Sequence, residues 1–194
     1  MNTMEARACY EIIEGVKYIR ASDSLNHSTI ATRIICAFMD YLSERNCGGV
    51  FSGGVSFDAD NFLIPDVSIV CDLSIADRYG NINGAPDLCV EIISRSSVRR
   101  DRGKKKDIYE RNGVKEYWII DQISKSIEVY HLIEGRYKLD DVYQVYSMKE
   151  WEALEPEERA EAKFEIKVSL FDDLLVDVRE VFRWWGESLP VYER

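Results

Sequence analysis

The chain reads as an α/β (α+β) protein, a mixed β-sheet flanked by helices with an N-terminal hairpin. Three observations predict this. Short β-branched apolar runs bounded by Gly, Pro and Asn recur at 65–71, 85–94 and 116–121, which is the signature of strands. Residues 101–112 carry helical apolar spacing, stop at Gly113 and join two of those runs, making a strand–helix–strand crossover. After Asp121 the pattern changes to shorter runs linked by tight turns, so antiparallel strands are added. With 194 residues, 46% of them hydrophobic, the chain suffices for one compact domain with a real core over 1–194.

Taken in order, Tyr10 to Tyr18 predicts a hairpin turning at Glu14-Gly15. Ser22-Asp23-Ser24 offers N-cap chemistry. Ile30, Ile34, Phe38 and Leu42 continue at helical spacing to Asn46, ahead of Gly48-Gly49. Val50 to Phe57 reads as one strand with a bulge at Gly53-Gly54, followed by a turn over 58–61. That turn is rich in Asp and Asn but lacks the ligand spacing of a calcium loop. After strand 65–71, the polar connection 72–84 is long enough to cover a substrate. Beyond the crossover, Ser126 to Leu132, a turn at Glu134-Gly135, Arg136 to Leu139 and Val142 to Tyr146 predict antiparallel pairing. Met148 to Lys163 is acidic and helical or loosely ordered around Pro156. Phe164 to Leu170 reads as a short strand, and apolar spacing over Leu174 to Trp185 predicts a closing helix.

Three features of the central unit are costly enough to suggest a site. Glu91 lies within the apolar run Leu88 to Ile93, expected for a strand buried on both faces, where a carboxylate needs a cation, a metal or hydrogen bonds. The alternative is an edge strand with Glu91 in water. Asp66 and Asp87 each follow a proline. Asp87 shares a strand face with Glu91, but four residues span roughly 13 Å, too far for one Mg²⁺ with ligands at about 2.1 Å. Asp66, on a strand that could lie about 4.8 Å away, can meet Glu91 if the two strands are neighbours. Asp87 then marks the strand start. Finally, Lys105 points along the stripe of Ile108 and Tyr109, whereas Lys104 and Lys106 point roughly 90–110° away. Lys105 either enters the site or snorkels to water.

Other chemistry is excluded or bounded. There is no P-loop, GxGxxG or GxSxG, and no apolar run of membrane-spanning length. Met1 to Arg7 has no apolar segment ahead of a cleavage site, so no secretory leader is expected. Cys9, Cys36, Cys47, Cys71 and Cys89 show no CxxC spacing and read as reduced thiols of a cytoplasmic protein. The net charge of −10 argues against a general nucleic-acid binder, yet residues 95–106 carry +6 and the remainder −16. Arg99, Arg100, Arg102 and Lys104 in that block form either a solvated run or a phosphate-binding rim beside the site.

Two carboxylates and an inward lysine suit metal-assisted phosphodiester hydrolysis. The ordered set YEIIEG (10–15), His27, PDVSIVCD (65–72), GAPDLCVEIIS (84–94) and RDRGKKKDIYERNGVKEYWIID (100–121) resembles the Uma-type restriction endonuclease family of the PD-(D/E)XK nuclease superfamily. The resemblance implies a restriction-endonuclease-like core and a Mg²⁺- or Mn²⁺-dependent endonuclease acting on DNA. Asp66 matches the superfamily aspartate and Glu91 its second acid, with Asp66, Glu91 and the Ile92 backbone carbonyl as metal ligands. The chain departs from the superfamily at Ile93, where the motif lysine usually stands, so the resemblance requires a lysine from the following helix, where Lys105 lies. His27, Glu11 and Asp87 are candidate site neighbours in the family-like reading; from its spacing alone His27 reads as a packed or capping residue. Double-strand cleavage would make a homodimer natural. The rival reading is a catalytically silent nuclease-fold module binding DNA or protein, and a further one is a regulatory protein whose acidic face contacts a partner.

Overall fold

The computed structural model describes residues 9–43, 45, 48–184 and 186–192. It opens on the predicted hairpin, β1 (Tyr10–Ile13) paired with β2 (Val16–Ile19). The turn residues Glu14 and Gly15 take φ of 51° and 74°, the left-handed pair that matches the twist of the strands. In α1 (Leu25–Leu42), Ser24 caps the first turn by accepting the His27 N–H, and Ile30, Ile34, Phe38 and Leu42 form the buried stripe. The helix ends at Leu42 rather than running to Asn46, which lies outside the described residues.

Residues 49–58 depart from the expected bulged strand. β3 (Gly49–Phe51) and β4 (Val55–Asp58) belong to different sheets, and Gly53-Gly54 is the crossing between them. A Cβ at Gly53 would come 2.7 Å from the Phe51 ring and one at Gly54 2.2 Å from the Phe62 ring, so a side chain at either position would displace a ring. β5 (Asn61–Leu63) and β6 (Val67–Val70) follow. The connection 72–84 folds into a short 3₁₀ turn and β7 (Ile82–Asn83), parallel to β4.

β8 (Leu88–Ile93) is buried along its whole length, as its apolar run predicts. The crossover helix begins earlier than expected, as α2 (Val98–Arg100), continues through a π-helical turn over Asp101–Lys105 kinked at Gly103, and ends as α3 (Lys106–Asn112). Gly113, at φ 86°, supplies the left-handed cap. β9 (Glu116–Asp121) then lies parallel beside β8. β10 (Ser126–Ile133) and β11 (Arg136–Gln144) form a long hairpin in which Asp140 is bulged out, so the two predicted strands are one. The acidic stretch forms α4 (Met148–Ala153) and α5 (Pro156–Glu161), with Pro156 in the first turn. β12 (Glu165–Lys167) pairs with β13 (Leu175–Asp177), ahead of the short α6 (Val178–Phe182). The expected closing helix therefore starts late. Asp177 caps α6 through the Arg179 N–H, and before it exposed Leu175 and buried Val176 alternate as in a strand. Trp185 lies outside the described residues.

The main sheet runs β11-β10-β9-β8-β6-β3, and the second runs β2-β1-β5-β4-β7. Because β8 is parallel to β9 and antiparallel to β6, the main sheet is mixed. Val67, Ile69, Leu88, Val90, Trp118 and Ile120 pack on one face against α1, the β12–β13 pair and α6. On the other face Cys89, Ile93, Tyr117 and Ile119 pack against Ile13, Leu63, Ile108 and Tyr109. Cys9, Cys36 and Cys89 are free thiols, but Cys71 is disulfide-bonded, against the expectation of reduced cysteines throughout; Cys47 lies outside the described residues. Among the described residues no helix is long and apolar enough to cross a membrane.

Candidate active site

The β6–β8 register pairs Val67 with Val90, so one step further sets Asp66 opposite Glu91. Strand neighbourhood, the condition for the two acids to meet, is satisfied. Asp66 is 7% exposed, and its N–H donates to the Val90 carbonyl at 3.0 Å. Asp66 Oδ2 accepts the Ile92 N–H at 2.7 Å and faces His27 Nε2 at 3.1 Å. Oδ1 accepts from the Arg20 guanidinium at 2.8 Å, and Arg20 also donates to the Ile64 carbonyl. Burial disfavours the Asp66 anion, but His27, Arg20 and the Ile92 N–H outweigh it and lower its pKa. Burial opposes the charged form of His27 too, yet the Asp66 carboxylate raises its pKa.

Glu91 reaches the face where the helix packs. Its Oε1 accepts the Tyr109 hydroxyl at 2.5 Å and lies 2.5 Å from Lys105 Nζ. Lys105 Nζ is also 2.9 Å from Glu11 Oε1 and 3.6 Å from Asp101 Oδ1. Glu11 is fixed by the Ile64 N–H at 2.9 Å. Lys105, Glu11, Glu91 and Asp101 are all buried, so one lysine serves three carboxylates. Burial pushes the Glu91 and Asp101 carboxyls above their usual range, Lys105 offsetting only part of it. Lys105 itself stays ionised: burial works against its charge, but the surrounding carboxylates raise its pKa. Glu91 borders an open cleft.

That cleft, about 520 Å³ in volume, is walled by Arg20, Asp23, His27, Asp66, Glu91, Ile92, Ser94, Ser97, Arg100 and Asp101. Connection 72–84 does not line it. Asp87 sits at the opposite end of β8, where its carboxylate accepts the Cys71 N–H and pairs with Lys115, so it marks the strand start. The basic block divides. Arg102 pairs with Glu128 at 2.6 Å and Lys104 with Glu14 at 2.7 Å. Arg95 and Arg99 are exposed and reach no carboxylate among the described residues, while Arg100 lines the cleft above the Tyr18 ring.

The residues present fit a hard divalent cation. Four buried carboxylates (Glu11, Asp66, Glu91, Asp101) face two buried or half-buried cations and one histidine, and oxygen-rich sites of this kind suit Mg²⁺ or Mn²⁺. Asp23, His27 and Asp66 can bring ligand atoms within 4.8 Å of one another, and His27 Nδ1 is buried without a hydrogen-bond partner.

Arg20, Asp23 as a site group, Asp101 and the Tyr109 hydroxyl escape the sequence reading. Asp101 had a usable signal, standing one helical turn before Lys105 on its stripe. Tyr109 was legible as core but not as a donor. Arg20 meets Asp66 across 46 positions, and nothing local marks it.

A family model, Uma2, described as "Putative restriction endonuclease", matches residues 2–168. "Uncharacterized protein slr1290" of Synechocystis sp. is 30% identical over 128 residues, which is 64% of this chain and 67% of that protein. The crystal structure of a putative nuclease belonging to DUF820 from Anabaena variabilis is similar with a TM-score of 0.64, covering 92% of each chain at 19% identity. At that identity the likeness speaks for a shared fold.

Proposed function

The chain belongs to the Uma2 family, and from that premise we propose that it is a Mg²⁺- or Mn²⁺-dependent endonuclease hydrolysing DNA phosphodiesters in the cytoplasm. The observation that carries this reading is Lys105, buried within the crossover with Nζ 2.5 Å from Glu91, itself opposite Asp66. Asp66, Glu91 and the Ile92 carbonyl would hold the cation, which when bound supplies Lewis-acid polarisation of a phosphate and a lower pKa for a bound water.

The chain's own groups do the rest. His27 and the Ile92 N–H orient Asp66, while Tyr109 and Lys105 orient Glu91. The Lys105 ammonium, kept charged by its carboxylates, meets negative charge developing on the phosphate or positions the attacking water. Glu11 anchors the ammonium as well, 2.9 Å from Nζ. Arg99 and Arg100 contact backbone phosphates, with Arg102 and Lys104 contributing less because Glu128 and Glu14 already neutralise them.

One observation favours the catalytically silent module instead. Asp66 is satisfied by Arg20 and His27, and Glu91 by Lys105 and Tyr109, so the network closes with protein groups. Incubation with plasmid DNA and Mg²⁺, Mn²⁺ or EDTA separates the two. Cleavage abolished by EDTA, by Asp66→Asn and by Glu91→Gln supports the nuclease. DNA binding without cleavage supports the module, and loss of both overturns both. Linear rather than nicked product, with a dimer-sized mass by light scattering, would support a homodimer.

A further inference from the structure

The place where anionic ligands converge already holds a cation of the protein itself. Arg20 NH2 lies 2.8 Å from Asp66 Oδ1 and 3.8 Å from Asp23 Oδ1. His27 spans the same two acids, with Nε2 3.1 Å from Asp66 and Nδ1 3.7 Å from Asp23. The guanidinium therefore borders two of the three residues of the Asp23–His27–Asp66 group. The two Asp66 oxygens are held differently. Oδ2 is fixed by the main chain at Ile92 and by His27 on α1, whereas Oδ1 is held by the Arg20 side chain.

We propose that Arg20 is a resident counter-cation that stabilises Asp66 in the metal-free protein and competes with the divalent cation for it, setting the chain's metal affinity. This rests on the metal-dependent reading above. A cation about 2.1 Å from Oδ1 would lie within a few ångströms of the guanidinium, and like charges at that spacing repel. Arg20 has somewhere to go. Its side chain is 20% exposed and also borders a second cleft of about 470 Å³, lined by Cys9, Ser52, Ile64 and Pro65 as well as Asp66. Its backbone stays put through the Arg20 N–H to Cys9 carbonyl bond at 2.9 Å, so displacement needs rotation of the side chain and release of the Ile64 carbonyl.

Mn²⁺ titration calorimetry without substrate tests this on the wild-type chain, Arg20→Met, Arg20→Lys and Asp66→Asn. Met keeps the aliphatic stem without the charge and should bind Mn²⁺ about tenfold tighter or more, the worth of one charge-assisted hydrogen bond. Lys should fall between Met and wild type. Equal or weaker affinity in a folded Arg20→Met chain, with binding lost in Asp66→Asn, overturns the role of Arg20 alone. Binding unchanged in Asp66→Asn, or no binding by any form, overturns the metal reading with it. If Arg20→Met does not fold, arginine side-chain NMR of the wild type decides. Mg²⁺ should shift the Arg20 Nε signal in step with saturation, and a static signal overturns the proposal.

Discussion

Replacing Lys105 by Met tests how one buried ammonium governs both stability and chemistry. On helical spacing alone, Met would seem mild, since it keeps the stem packed beside Ile108 and Tyr109. The ion pairs to Glu91, Glu11 and Asp101 overturn that estimate. Removing one partner of a buried pair costs about 3–5 kcal/mol. At roughly 2–4 °C per kcal/mol for a chain of this size, Tm should fall by about 6–20 °C. The pH dependence has a definite sign. Glu91 and Asp101 already have raised folded pKa values, so their contribution is fully present below the unfolded carboxylate pKa and is lost as pH rises through the folded one. Without Lys105 those values rise further. The deficit should therefore be largest at about pH 8 and shrink toward about pH 4 as the carboxyls protonate. Differential scanning calorimetry across that range measures it, with Lys104→Met and Lys106→Met as controls. Lys104 is solvent-exposed, and Lys106 rests over the Tyr130 ring at 3.4 Å, so both should barely move Tm. On protein verified as folded, Lys105→Met should also lower cleavage by about 10²–10³. Equal Tm losses in all three variants, or a Lys105 deficit independent of pH, would refute the reasoning.

Tyr109→Phe keeps the ring contacts with Phe57 and Tyr117 but removes the donor to Glu91, and should cost about 1–3 kcal/mol in urea unfolding; an unchanged midpoint would count against it. Arg99→Ala with Arg100→Ala should weaken DNA binding across sequences and flatten its salt dependence, whereas Arg102→Ala, already paired with Glu128, should do much less. Binding isotherms at several salt concentrations check this, and equal effects at Arg99 and Arg102 would contradict it. Ile93 lies in the same cluster as Cys89 and Tyr109, on the Glu91 face of β8, so Ile93→Lys on the Lys105→Met background should partly restore cleavage. A folded double variant with no recovery would separate the two positions.

Most of the scaffold was legible because its signals are local. The hairpin at Glu14-Gly15, the α1 stripe and the crossover each follow from a period or a turn residue within a dozen positions. Lys105 was legible for the same reason, since helical arithmetic needs no tertiary knowledge. Asp66 and Glu91 could be paired only conditionally, because which strands are neighbours is a long-range property. Gly53-Gly54 fits a bulge or a crossing equally well in one dimension, and the aromatic rings that decide it come from Phe51 and Phe62. Over Leu174 to Phe182 the same apolar positions satisfy a strand followed by a helix, and the Asp177 cap decides where one becomes the other. Arg20 was illegible outright. A residue just past the end of a short strand carries no sign that its guanidinium will meet a carboxylate 46 positions away.

The distance between the two central acids is measured by a ladder and not by a loop. β6 and β8 are antiparallel neighbours, so their hydrogen bonds alone decide that Asp66 stands across from Glu91. A slip of one residue would turn Glu91 into the layer occupied by Val90 and Ile92 and present an aliphatic side chain to the cleft. The core would reject that slip on its own account, since a carboxylate would then displace packed apolar groups against α1. Hydrophobic alternation thus proofreads the acid pair during folding. Insertions in the connection 72–84 leave that ruler untouched, whereas a single residue gained or lost within 88–93 breaks the core and the site together.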